Sequence, residues 1–139
     1  MKTVNCVRGL AFGISLICSA SVWAADFNGS APLTCTPTGA YSCEPGKACT
    51  RVKPESYPPR VMTIDAAAKI ARAPYRTEAL SIANSTLNDE QLQLQGTAEK
   101  FAWSAIVHRH TGQLTVTIAD RLGAYVIFGH CQISAAADR

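Results

Sequence analysis

The sequence predicts an all-β fold: a small antiparallel meander, sandwich or barrel-like domain, stapled by two disulfides and preceded by a signal peptide. Three observations carry this expectation. From residue 61 onward, β-branched or aromatic segments recur at roughly ten-residue spacing between turn residues. The N-terminus reads as an export signal. Once that signal is set aside, the remaining cysteines are Cys35, Cys43, Cys49 and Cys131, an even number in a short chain.

The chain opens "MKTVNCVRGLAFGISLICSASVWAADF". Lys2 and Arg8 form a positive region, "GLAFGISLIC" is an uncharged and mostly apolar run, and Val22 and Ala24 place small residues before a cleavage point after Ala24. The run is shorter than the roughly 20 apolar residues that a membrane span needs. Ile17 stands before Cys18 where lipidation takes a small residue. Residues 1–24 are therefore expected to be a signal peptide and 25–139 a single domain, periplasmic or secreted, with no transmembrane segment. Cleavage removes Cys6, Cys18, Lys2 and Arg8, leaving 115 residues with 11 Lys and Arg against 10 Asp and Glu. A charge this close to neutral carries no electrostatic footprint for nucleic acid or an anionic membrane.

Residues 25–32, "ADFNGSAP", read as a flexible lead-in. In "CTPTGAYSCEPGKAC", residues 35–49, the cysteine gaps fit neither the close ligand pairs of a zinc site nor Cys-x-x-Cys redox chemistry. An exported chain meets an oxidising compartment, where disulfides persist. Pro45-Gly46 signals a turn that returns Cys43 to Cys49, which leaves Cys35 for Cys131. On the loop-entropy estimate the short bridge contributes about 2 kcal/mol and the long one nearly 5 kcal/mol. The competing pairing joins Cys35 to Cys43 and Cys49 to Cys131, with "TPTGA" as its reversal. "KPESYPPR", residues 53–60, is too proline-rich for a helix or central strand and reads as a junction loop.

"RVMTID" alternates, with Met62 and Ile64 on the face opposite Val61, Thr63 and Asp65. "DAAAKIARAP" has the propensity of a short helix capped by Asp65, but a hairpin returning as "KIARA" keeps the meander continuous and is the expected form. Leu80 and Ile82 alternate with small residues, and Leu92 and Leu94 point inward from "QLQLQG". "FAWSAIVHRH", "QLTVTIAD" and "AYVIFGHC" complete the strands. Between the first two of these, Gly112 suits the left-handed position of a bulged turn. That turn pairs Arg109 with Gln113 and His108 with Leu114, and puts Ile106 on the face of Leu114, Val116 and Ile118. A two-residue turn at Thr111-Gly112 would give that face Trp103, Ala105 and Val107 instead. The bulged form is expected.

His108 and His110 share a strand face, and His130 near the last strand's end is a third imidazole. Such a set is the candidate metal site, although no carboxylate stands at motif spacing. Packing or turn roles for the histidines are the simpler expectation. Asp65 and Asp120 are expected to close turns rather than form a catalytic pair, and no "G-x-S-x-G" is present. Asn84-Ser85-Thr86 matches a glycosylation sequon, relevant only in a eukaryotic secretory route.

The layout resembles that of short, largely uncharacterised exported proteobacterial proteins. The elements that carry the likeness are Cys35, Tyr41, Cys43 and Cys49, then Ile64-Asp65, Arg109 to Leu114, and Phe128 to Cys131. The resemblance implies a disulfide-stapled β-domain outside the cytoplasm and transfers no catalytic residue. The expected function is a non-enzymatic binding or interaction module: an envelope factor, inhibitor or host-facing secreted protein, with another protein as partner and no cofactor. The alternative is a metal-binding periplasmic protein using His108, His110 and His130.

Overall fold

A computed structural model describes residues 24–52, 61–73 and 76–135. The expected signal peptide, apart from Ala24, and the proline-rich segment 53–60 lie outside the described residues. The strands are β1 (Leu33–Cys43), β2 (Thr50–Arg51), β3 (Met62–Asp65), β4 (Ile70–Arg72), β5 (Leu80–Ser81), β6 (Asn84–Leu87), β7 (Gln91–Ala98), β8 (Phe101–His108), β9 (Gln113–Ala119) and β10 (Ala124–Ile133). They form one antiparallel sheet in the order β5-β4-β3-β1-β10-β9-β8-β7-β6, with β2 added to the end of β1. The sheet curls into a half-barrel. Its two edge strands, β5 and β6, are consecutive pieces of one segment: Ile82 N donates to Lys69 O at 2.9 Å and Ala83 N to Gln95 O at 2.8 Å. The segment 80–87 thus hydrogen-bonds to one sheet edge with its first half and to the other with its second.

Strand alternation puts one apolar set inside. It runs in rows across the ladders. The first joins Leu92, Val107, Leu114, Gly129 and Pro37, the second Leu94, Ala105, Val116, Ile127 and Ala40, the third Gly96, Trp103, Ile118, Tyr125 and Ser42. Leu92, Leu94, Val107 and Leu114 are fully enclosed, as are Leu33 and the pair Cys35 and Cys131. The third row is looser, with Ile118 half-buried and Tyr125 exposed.

The tight end is sealed by the stretch read as a flexible lead-in, which is instead docked. Phe27 is buried, and its N–H donates to Arg109 O at 3.0 Å. Asp26 accepts two hydrogen bonds from the Arg109 guanidinium, at 2.6 Å from Nε and 3.0 Å from Nη2. Side-chain hydrogen bonding and then charge attraction from Arg109 hold the Asp26 carboxyl below its ordinary range. A lead-in rich in small polar residues gives no sign of this, because the anchor is a single aromatic ring whose socket is built from distant turns.

That socket includes the β8–β9 loop, where the expected register is corrected. Val107 pairs with Leu114, Ala105 with Val116 and Trp103 with Ile118. The loop spans residues 109–112, closed by Gly112 N donating to His108 O at 2.9 Å. It is longer than either turn considered. Ile106 therefore faces outward, and Trp103, Ala105 and Val107 face the core. Gly112 does take positive φ, 72°. A Cβ there would also stand 2.7 Å from the Phe27 ring and 2.6 Å from Cys131 O, so the loop is shaped by what packs against it.

"TPTGA" is not a reversal. It lies inside β1, where the register slips between Pro37 and Gly39 as a bulge around Thr38. A proline in a strand is accommodated at such a site. The bridges are Cys35–Cys131, whose residues face each other in the β1–β10 ladder, and Cys43–Cys49 across the turn containing Pro45-Gly46. Two disulfides put the folded chain in an oxidising, extracytoplasmic compartment. The expected hairpin over 62–72 is present, with Asp65 pairing with Ile70 and Asp65 Oδ1 accepting from Ala68 N at 2.8 Å. No helix among the described residues is long and apolar enough to cross a membrane.

Candidate functional site

The looser end of the half-barrel holds a cavity of about 350 Å³. It arises from side-chain sizes. In the second row Ala105 sits between Leu94 and Val116, and across the interior Ala71 and Ala73 are equally small. Bulkier residues on all sides hold the strands apart, so the alanines leave volume unfilled. One wall is Met62, Ile64 and Leu80; the other is Val116, Ile118 and Ile127. Phe101, Trp103 and Tyr125 supply aromatic surface. The volume lies at the lower end of the ~300–1,000 Å³ range of ligand pockets, and a mainly apolar lining with few polar groups is their usual character.

The Trp103 indole lies across Gly96, its partner in the β7–β8 ladder. Trp103 is 7% exposed, and its Nε1–H has no acceptor among the described residues. A buried donor without a partner costs about 1–3 kcal/mol. The charged residues bordering the cavity are Arg72, Arg76 and Asp120. Asp120 Oδ1 is occupied by its own turn, accepting from Leu122 N at 2.7 Å and Gly123 N at 3.0 Å. The Arg76 guanidinium lies over the Phe101 ring, 5.0 Å from its centroid.

The histidines fall at the opposite end. His108 and His110 have ring centroids 6.0 Å apart. His108 Nδ1 accepts from the backbone N–H groups of His110 and Thr111, each at 3.3 Å, and His110 Nε2 lies 3.0 Å from Asp89 O. His130 pairs with Gln113, so β9 separates it from the strand carrying His108. Among the described residues no group of three or more His, Cys, Asp or Glu side chains is placed to hold a metal ion. Asp65 and Asp120 both cap turns, as expected, and do not meet.

On the outer face an apolar stripe crosses four strands. Ile106 pairs with Thr115 and Thr115 with Phe128, whose ring meets Tyr41 edge-on at 6.2 Å between centroids. Comparison with protein-family models, curated proteins and solved structures yields no match to this chain.

Proposed function

We propose that the protein is an exported, non-enzymatic binding module, periplasmic or secreted, and that its binding element is the cavity of the half-barrel. The observation that carries the reading is a mostly apolar concavity of about 350 Å³, lined by residues of strands on both sides of the half-barrel. Its aromatic and aliphatic lining suits the body of a small apolar molecule. Two disulfides and an interlocked sheet suit a preformed container, because a rigid site loses little freedom on binding. The outer stripe of Ile106, Phe128 and Tyr41 is the corresponding surface for a protein partner. Metal binding through His108, His110 and His130 has weaker support, because His108 and His110 are engaged with the backbone.

The test is titration with N-phenylnaphthylamine, a neutral apolar dye that brightens when removed from water. Saturable enhancement is expected, abolished by Ala105→Leu, which fills the floor of the cavity. Folding of the variant is checked by circular dichroism. Absence of enhancement in the unsubstituted protein, or undiminished enhancement in the folded variant, overturns the reading.

A further inference from the structure

The cavity has charged groups beside its apolar surface. Arg76 and Asp120 stand at it, and Asp120 Oδ1 is held in its own turn by two backbone N–H groups. Neither Arg72 nor Arg76 forms an ion pair with any described residue, whereas Arg109 and Lys47 each have a carboxylate partner. Arg76 is also positioned rather than loose, with its guanidinium over the Phe101 ring at 5.0 Å from the centroid. Guanidinium groups stack on aromatic faces while keeping their N–H fork free for a carboxylate. Arg72 alternates with the inward Ala71 and pairs with exposed Thr63, so its side chain lies on the outer face, and Arg76 is the guanidinium placed at the hollow. An apolar hollow with an unpaired guanidinium beside it is the complement of a molecule with an apolar body and a negative head.

We infer that the ligand of the cavity is a single-chain amphiphile with a carboxylate head, its chain against Trp103, Ile118 and Ile127 and its head at Arg76. The inference rests on the cavity-binding reading and names its ligand class. The chain supplies binding through burial. The head supplies orientation, because reversing the molecule would leave the carboxylate among apolar side chains with no cation to pair with.

Calorimetric titration with dodecanoate, dodecanol and dodecyltrimethylammonium, each below its aggregation concentration, tests this with the tail held constant. Dodecanoate is expected to bind about tenfold or more tighter than dodecanol, a ratio matching one charge-assisted hydrogen bond, and the cationic probe weakest. Arg76→Gln is expected to reduce dodecanoate to the affinity of dodecanol without changing dodecanol itself, whereas Arg72→Gln, on the outer face, is expected to leave the preference intact. Lys69→Asn removes one charge at the β3–β4 turn, where positive φ of 58° suits asparagine, and is expected to leave the preference intact. Dodecanol and dodecanoate binding equally, or a preference that survives Arg76→Gln, overturns the carboxylate inference while the cavity reading stands. Failure of every probe to bind overturns both.

Discussion

Trp103 and Gly96 face each other across the β7–β8 ladder, and each explains the other. A large indole turned inward beside the cavity needs a strand partner with no side chain. A methyl group on Gly96 would stand 2.4 Å from Ser81 O and 2.6 Å from Nε1 of the indole. The first clash is with backbone of the closing segment, which cannot simply rotate away. Gly96→Ala is therefore expected to destabilise by about 1–3 kcal/mol, read as a lower thermal midpoint. Asp26 supplies a second expectation at this scale. Its carboxyl is held below the ordinary 3.8 by Arg109. A group with a depressed folded pKa contributes stability above its unfolded pKa, and the contribution disappears as pH falls through the folded value. Acidification below about pH 4 should thus cost the native protein a contribution that Asp26→Asn lacks. Urea midpoints across an acid series check this: the gap between native and variant should close toward low pH, and a constant gap contradicts it.

The segment 80–87 is the element on which the architecture turns, since one short stretch serves as the last strand at both edges of the sheet. Ile82 sits at the changeover, 3% exposed, with its N–H bonded to Lys69 O. Ile82→Ala is expected to cost about 2–5 kcal/mol and to raise hydrogen exchange in β4 and β7 together, because both edges lose the same support. Exchange rising in only one of them would show that the edges are independent. This element also marks how far the sequence could be read. The strands with clean alternation, such as Met62–Asp65 and Gln91–Ala98, were legible, because period-two apolarity reports directly on a one-sided sheet. Asn84–Leu87 was not: "NSTL" is wholly exposed and has no alternation. The β8–β9 register was missed for a related reason. Both faces of "FAWSAIVH" carry apolar residues, so only the length of the loop decides which set goes inside, and that length is fixed by contacts with Phe27 and Cys131. The cavity was illegible as a site, since it consists of alanines from β4, the residue after it, and β8, which share one volume only after folding.

At the scale of the whole molecule the two bridges do different work. Cys35–Cys131 spans 96 residues and is fully buried, whereas Cys43–Cys49 spans 6 and has one exposed member. Removing the long bridge by Cys35→Ala with Cys131→Ala is expected to cost nearly 5 kcal/mol, against about 2 kcal/mol for Cys43→Ala with Cys49→Ala. Thermal unfolding of the two variants measures the difference, and equal losses would contradict it. Mild reductant without denaturant should expose Cys43 and Cys49 to an alkylating reagent while Cys35 and Cys131 stay blocked, because exchange needs access to the sulfur.

The long bridge also sets a problem of timing. Of the four bridged cysteines a ribosome delivers 35 first, then 43, 49 and 131, so if Cys35 oxidises with the next of them to emerge it joins Cys43. Within finished β1 those residues lie eight positions apart on an extended strand, a span of about 26 Å at the usual rise, which no disulfide crosses. The native strand and the earliest available bridge therefore exclude each other. A chain oxidised while it is still being made must either wait for its last strand or break and remake its first bond. Withholding a disulfide isomerase during expression is expected to accumulate the Cys35–Cys43 species, identifiable by non-reducing peptide mapping, and native pairing at undiminished yield would show that β1 forms before its thiols react.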